Sequence, residues 1–447
     1  MTEDVFEDDE RRIRLRDIDG DALKVVRRLL LAGHDAYLVG GCVRDLYLGY
    51  KPKDFDVATS ATPEQVKRIF RNSRIIGRRF KLAHVFFGSK VIETATFRAP
   101  PSSTDDEEDP LITHDNEYGS IEDDARRRDF TINALFYDVE TGGIADFVDG
   151  LSDLDRGIIR TIGDPRVRFQ EDPVRMIRAI KFAARLKFEI EPETKEALLE
   201  TTPDIAKCSR ARLLEELYKL MRSGKSQASL AALHHAGLLG YIWPDYVALF
   251  EEEGGLVGPE VAHATEHPRA YALWHYLHAL DEYVATTRHV PSNGVMQAIF
   301  FAPILGDQLT EAPRGELDGL IDSIMTPPGA ALGVARRNRE LARQIMVTHR
   351  RLLQPAKGRN KNGLIHRNYF HDALIFLGLS VHARDEDGGA LDYWQRIATR
   401  PRTTPEQDVE RDDRGRRKRR RGGRRRRRSR GGEAHRPGGK ARGASAD

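Results

Sequence analysis

Near residue 150 the apolar residues of this chain change their period, and that change limits the folds open to it. From about 21 to 140 the pattern alternates between helix and strand. DALKVVRRLLLAG (21–33) spaces Leu23, Val26, Leu30 and Leu31 as one helix face and stops at Gly33. AYLVG (36–40) reads as a short buried strand, GCVRDLYLG (41–49) as a helix and DFDVATS (54–60) as a strand. TPEQVKRIF (62–70) predicts a helix with Thr62 as its N-cap and Pro63 at its first position. AHVFFG and KVIETATFR follow as two strands, and the acidic, Pro-rich stretch 99–115 as a loop inserted at the sheet edge. Beyond 150 helical spacing prevails, most clearly in EDPVRMIRAIKFAARLKF (171–188), ARLLEELYKLM (211–221), ALWHYLHALDEYV (272–284) and HDALIFLGL (371–379). The expected class is α+β: a head with a small mixed sheet and helices, then an all-α portion. After Pro401 apolar residues nearly vanish, and such a segment cannot bury enough surface to fold alone.

Charge divides along the same line. Residues 411–443 carry 17 Lys and Arg against 3 acidic residues, so under an overall charge of +3 the remainder sums to −11. An acidic body with a cationic tail calls for a polyanionic partner. Two cysteines, Cys42 and Cys208, are too few for a disulfide framework and point to a reducing cytoplasm. Cys42 is expected to pack behind the glycine turn. The sequence holds no run of about 18 apolar residues, so no membrane span is expected, and the acidic start MTEDVFEDDE is not a secretory signal.

Asp54 and Asp56 stand two apart in an apolar strand context, which predicts both carboxylates on one sheet face. Two adjacent anions repel unless a cation lies between them, and oxygen-only ligands suit Mg²⁺ or Mn²⁺. Alone, the pair reads more readily as an Asp-rich strand end or turn. Upstream, Gly40 and Gly41 separate a strand from a helix, exposing backbone N–H groups with Arg44 one turn inside, a cradle suited to phosphate. The Lys-Ser/Thr of a P-loop and the third glycine of a dinucleotide fingerprint are both missing. Glu93 offers a third carboxylate from a neighbouring strand. Together these parts describe metal-assisted phosphoryl transfer.

GGCVRD, KDFDVAT, ETATFR, RRRDFTINAL and EDPVRMIRAIKFAARL, in that order, resemble the class II nucleotidyltransferases, the family of bacterial poly(A) polymerases and CCA-adding enzymes. The resemblance covers roughly residues 35–225. GRRFKLAHVFFG (77–88) looks like the stretch typical of the poly(A) polymerase branch. Charge and periodicity divide the chain into a loose N-terminus (1–20), a head (21–165), a neck (166–225), a helical body (226–400) and a disordered Arg-rich tail (401–447), and the resemblance implies a catalytic head and a nucleotide-selecting, RNA-binding neck.

It also implies roles. Asp54 and Asp56 would hold two metal ions, one lowering the pKa of the RNA 3′-hydroxyl and one stabilising the pyrophosphate leaving group. Glu93 would orient the hydroxyl. Arg128 would pair with phosphate, Asp129 would accept from a ribose hydroxyl, and Asn133 would share a helix face with Asp129. The alternative for 126–135 is a surface helix over a Phe130, Ile132 and Leu135 stripe. Asp172, at or near a helix N-cap, and Arg175 would read the base edge, with Arg178 one turn on. A carboxylate accepts from an amino group while a guanidinium donates to a ring nitrogen, a pattern shared by adenine and cytosine and inverted in guanine and uracil. That pair does not separate ATP from CTP. Arg212, Glu215 and Lys219 resemble part of a helix bracing the neck, or are exposed ion pairs.

In the tail, Arg416, Arg417, Lys418, Arg419, Arg420, Arg421, Arg424, Arg425, Arg426, Arg427 and Arg428 would neutralise RNA phosphates without sequence preference. RNA-decay proteins are the alternative partner there. His275, His278, His371 and Asp372 do not assemble the pattern of a metal-dependent phosphohydrolase and read as packing or surface residues. The reading is an enzyme adding AMP from ATP to RNA 3′ ends in mRNA processing and decay. CCA addition to transfer RNA is the nearest rival, and a catalytically silent RNA-binding adaptor the third.

Overall fold

The structure, a computed structural model, describes residues 13–77, 81–99, 117–313, 315–353 and 360–399. The basic residues 416–421 and 424–428, the rest of the tail from 400, the acidic stretch from 100 onward and residues 78–80 lie outside the described residues. All elements below belong to one compact unit ending at Asp392.

Seven short strands form one sheet: β1 (Ala36–Val39), β2 (Asp56–Thr59), β3 (Ser73–Ile76), β4 (Leu82–Phe87), β5 (Lys90–Thr96), β6 (Leu135–Tyr137) and β7 (Ile144–Asp146). Their order is β3-β4-β5-β2-β1-β6-β7, antiparallel throughout except where β2 meets β5. α1 (Gly20–Leu31) starts at the Asp19 cap, whose carboxylate accepts from Asp21 and Ala22. α3 (Pro63–Ile69) starts at Thr62, which forms a reciprocal capping pair with Gln65. Val25, Val26 and Leu29 of α1 and Val66 of α3 join Leu38, Val57, Val85 and Ile92 of the sheet in the main core. Burial of alternate strand positions leaves the intervening side chains on the opposite face. α2 (Gly41–Tyr47) leaves β1 through Gly40.

Helices follow: α4 (Ile121–Arg127), α5 (Gly150–Arg156), α6 (Pro165–Glu171), α7 (Val174–Leu186), α8 (Pro192–Glu200) and α9 (Arg210–Met221), then further helices from Ser226 to Ala383. Among the described residues no strand follows Ile190, and no helix is long and apolar enough to cross a membrane. The α+β class holds.

Four local readings are corrected. The strand expected over 54–60 begins at Asp56. Its partner β1 ends at Val39, opposite Asp56, where the chain turns away at Gly40, so Asp54 has no neighbour to pair with. The helix expected across 126–135 ends at Arg127; Phe130 bridges to Thr161, residues 131–133 make a single 3-10 turn, and Leu135 enters β6. Asp172 stands next to the N-cap of α7, as expected, but that N-cap is Pro173, and the Asp172 side chain closes no cap: its residue ends α6. The N-terminal segment is not loose throughout, because Ile13 and Ile18 are buried in the core.

Candidate active site

Register across three strands builds the acidic face. Asp56 of β2 lies beside Glu93 of β5, and Glu93 lies beside His84 of β4. Their neighbours Val57, Thr94, Ala83, Val85 and Ile92 are buried, which leaves Asp56, Glu93 and His84 together on the other face. His84 Nε2 stands 3.7 Å from Glu93 Oε1. Asp54 is exposed just ahead of the strand. Burial, then the charge of Glu93, pushes the Asp56 carboxyl up to about 6; Asp54 adds to the rise and Arg128 opposes it. Such a cluster of oxygen donors, strained by its own charge, fits a hard divalent cation held by Asp54 and Asp56.

The glycine turn is fixed beside it. Gly40 adopts φ 75° and ψ −128°, a conformation open in practice only to glycine. A Cβ there would also lie 3.2 Å from Nη1 of Arg128. Arg128 donates through Nε and Nη2 to Asp124 Oδ2 at 3.2 and 2.9 Å, and its guanidinium lies 5.2 Å from the Phe136 ring centroid. Cys42 packs behind the turn as expected; burial raises its thiol to about 12.

Arg44 departs from the expected phosphate cradle. It is 2% exposed, donates to Asp45 Oδ1 at 2.9 and 2.6 Å and to Asn133 Oδ1 at 2.6 Å, and lies 5.1 Å from the Phe182 ring. Its donors are turned into the protein because Asp45 and Asn133 satisfy them there, so it braces the turn. Asn133 in turn donates to Asp129 Oδ1 at 3.2 Å, and Asp129 Oδ2 accepts from Arg178 at 2.6 Å. Asp129 and Asn133, expected on one helix face, instead meet across a bend and a tight turn. Asp45 Oδ2 accepts from Arg185 at 2.6 Å. A continuous polar chain thus runs Arg185–Asp45–Arg44–Asn133–Asp129–Arg178, tying α2 and the 131–133 turn to α7. Despite burial, the Arg178 charge holds the Asp129 carboxyl below its ordinary range.

At the joint of α6 and α7, Arg175 is buried and donates to Glu171 Oε2 at 2.9 Å and to the Arg168 carbonyl at 2.7 Å. Asp172 uses one oxygen to accept from Arg212 of α9 at 2.8 Å; its other oxygen, Oδ1, is buried with no hydrogen-bond partner. A buried acceptor without a donor costs free energy unless a ligand supplies one. Arg127 is lowered to about 10 by burial and then by Arg98, Arg168 and Arg175, so these cations crowd one another in a way an anion would relieve. Asp45, Asp124, Glu171 and Arg185 were not singled out from sequence, and Arg212 was noted only as part of a bracing helix or surface ion pair.

Three family models match in chain order: "Poly A polymerase head domain" over residues 36–160, "Probable RNA and SrmB- binding site of polymerase A" over 187–249, and "Polymerase A arginine-rich C-terminus" over 319–430. The chain belongs to the class II nucleotidyltransferase family. Among members of that family it is 46% identical to "Poly(A) polymerase I" of Salmonella typhimurium over 253 residues, 55% of this chain and 54% of that protein. It is 38% identical to the "CCA-adding enzyme" of Leuconostoc mesenteroides over 222 residues, 50% of this chain and 54% of that one. The chain thus spans about half the length of the curated relatives it matches. The Bacillus stearothermophilus CCA-adding enzyme in complex with CTP shares the nucleotidyltransferase fold at TM-score 0.60 and 26% identity, covering 84% of this chain and 80% of that one.

Proposed function

We propose that this protein adds AMP from ATP, without a template, to RNA 3′ ends with release of pyrophosphate. The observation that carries the reading is the acidic face, where Asp56 pairs with Glu93 and feels the charge of Asp54 just ahead of the strand, beside the glycine turn and Arg128. Mg²⁺ or Mn²⁺ held by Asp54 and Asp56 would supply charge neutralisation at the entering and leaving oxygens. Glu93 orients the 3′-hydroxyl, Arg128 pairs with phosphate, and Asp129, held by Arg178 and Asn133, accepts from the ribose. Asp172 Oδ1 accepts from the base amino group while Arg175 donates to the ring nitrogen. Arg44 and Asn133 position these groups from behind.

The higher identity to Poly(A) polymerase I and the matched arginine-rich C-terminus favour adenylate addition. CCA addition is the second reading, favoured by the fold shared with the CCA-adding enzyme. We extend the proposal to a head at 21–165, a neck at 166–225, a body at 226–400 and a tail at 401–447 that binds RNA phosphates or RNA-decay proteins. The setting is cytoplasmic mRNA processing and decay.

A gel assay separates the readings. Labelled unstructured RNA and a transfer RNA lacking its CCA end are each given Mg²⁺ and one or more nucleoside triphosphates. Long ladders with ATP on the unstructured RNA are expected; addition confined to the transfer RNA, requiring CTP and stopping after three nucleotides, would replace this reading with CCA addition.

The same assay checks Arg212. Arg212→Ala should lower the preference for ATP over GTP about tenfold, because Asp172 loses the donor that fixes its rotamer. Arg212→Lys should restore part of it. An unchanged ATP-to-GTP ratio of kcat/KM in the Ala variant would exclude this positioning role.

A further inference from the structure

We propose a second metal site, unrelated to nucleotide transfer: His278, Glu282 and His382 bind a divalent transition-metal ion such as Zn²⁺ on the surface of the helical body. His278 and Glu282 are four residues apart on the Pro268–Thr287 helix, hence on one face. His382 stands in the last turn of the Phe370–Ala383 helix. Glu282 Oε2 lies 2.6 Å from His382 Nε2, and Glu282 Oε1 lies 3.5 Å from His278 Nε2. One ligand atom from each of the three lies within 4.8 Å of the other two.

The backbone beneath the trio is held by buried packing. Tyr276, two residues before His278, donates to Ser380 Oγ at 3.0 Å, and Ser380 is two residues before His382. The rings of Tyr276 and Phe376 stack at 5.8 Å and 8°. All three of these anchoring residues are buried. The ligands themselves are about half exposed, at 54, 51 and 54%. Bonds of about 2.0–2.2 Å place tetrahedral ligand atoms about 3.4 Å apart, so rotation of the exposed side chains closes the set without moving either helix.

Donor chemistry selects the ion. Two imidazole nitrogens and one carboxylate suit Zn²⁺, Ni²⁺ or Co²⁺, whereas the carboxylate oxygens of Asp54 and Asp56 suit Mg²⁺. The two sites therefore sort two classes of metal. Water fills the remaining coordination positions at the surface site. Because the three ligands converge only when the two helices are packed, the ion binds the folded body and stabilises it.

The test uses the full chain, stripped with EDTA and kept in excess Mg²⁺, titrated with Zn²⁺ by calorimetry and with Co²⁺ by visible absorption. One equivalent should bind with a Kd on the order of micromolar and raise the thermal midpoint. His278→Ala and His382→Ala should each weaken that equivalent by at least about tenfold. His371→Ala should retain it, and circular dichroism checks that every variant is folded. Unchanged Zn²⁺ stoichiometry and affinity in both the His278 and His382 variants, or no Zn²⁺ binding by the parent chain, would overturn the proposal and leave the trio as an ion-paired surface cluster.

Discussion

Asp56→Asn should yield a protein that is more stable without metal and catalytically silent. Loss of a cation-holding carboxylate is expected to lower kcat by about 10³-fold or more. The stability gain follows from the raised Asp56 pKa. Folding lifts this carboxyl from 3.8 to about 6, so the folded state binds the proton more tightly than the unfolded state. The resulting penalty is absent below the unfolded pKa, grows as pH rises from about 4 through 6, and is complete above that. At neutral pH it amounts to roughly 1–2 kcal/mol after allowance for partial exposure. Thermal melts in EDTA across pH 4–8 should show the variant drawing ahead of the parent as pH rises. Mg²⁺ should narrow the gap by stabilising the parent. A variant that melts below the parent at pH 7.5 in EDTA would refute the electrostatic account, and one that retains turnover within tenfold would remove Asp56 from the chemistry.

The largest loss of stability is expected from Asp45→Ala. Arg44 is almost wholly buried, and Asp45 accepts two of its three intramolecular side-chain hydrogen bonds while also receiving one from Arg185. Removing the carboxylate strands a guanidinium in the interior, a change that costs about 3–5 kcal/mol. Replacing both charges, Arg44→Met with Asp45→Leu, should recover much of this, since the cost lies in the orphaned cation. Urea unfolding compares the two. A double variant no more stable than Asp45→Ala would mean that the loss arises from packing. Activity should remain impaired in the recovered double variant, because Asn133 loses the donor that orients it toward Asp129.

The contrast between these residues explains what could be read in the sequence. Asp56 and Glu93 were legible because strand alternation fixes the side of a sheet, and five motifs in one order fix the family. Asp54 was half legible. Its place beside Asp56 was foreseen, but the point where β2 begins depends on where β1 ends, which no local pattern encodes. The 126–135 segment was misread because a four-residue spacing between Asp129 and Asn133 mimics one helical turn. Arg44 looked available for phosphate since its partner Asn133 lies 89 residues away. Strands β3, β6 and β7 escaped notice, β6 because it follows directly on a segment whose spacing reads as helix. Arg212 was visible as a charge on a helix, yet its grip on Asp172 spans 40 residues.

The polar chain between α2 and α7 also has a consequence for the order of folding. Its links join residues 140, 89 and 49 positions apart. During synthesis, all three carboxylates of the acidic face emerge before residue 100, but Arg178 and Arg185 emerge only with α7. Until then Asp45 has Arg44 but not Arg185, and Asp129 lacks Arg178; contacts of such separation close late because much chain entropy must be lost first. Assembly of the candidate site is therefore a late event in the life of the molecule. A chain released before α7 would carry the whole acidic motif without the polar chain that braces the turns beside it.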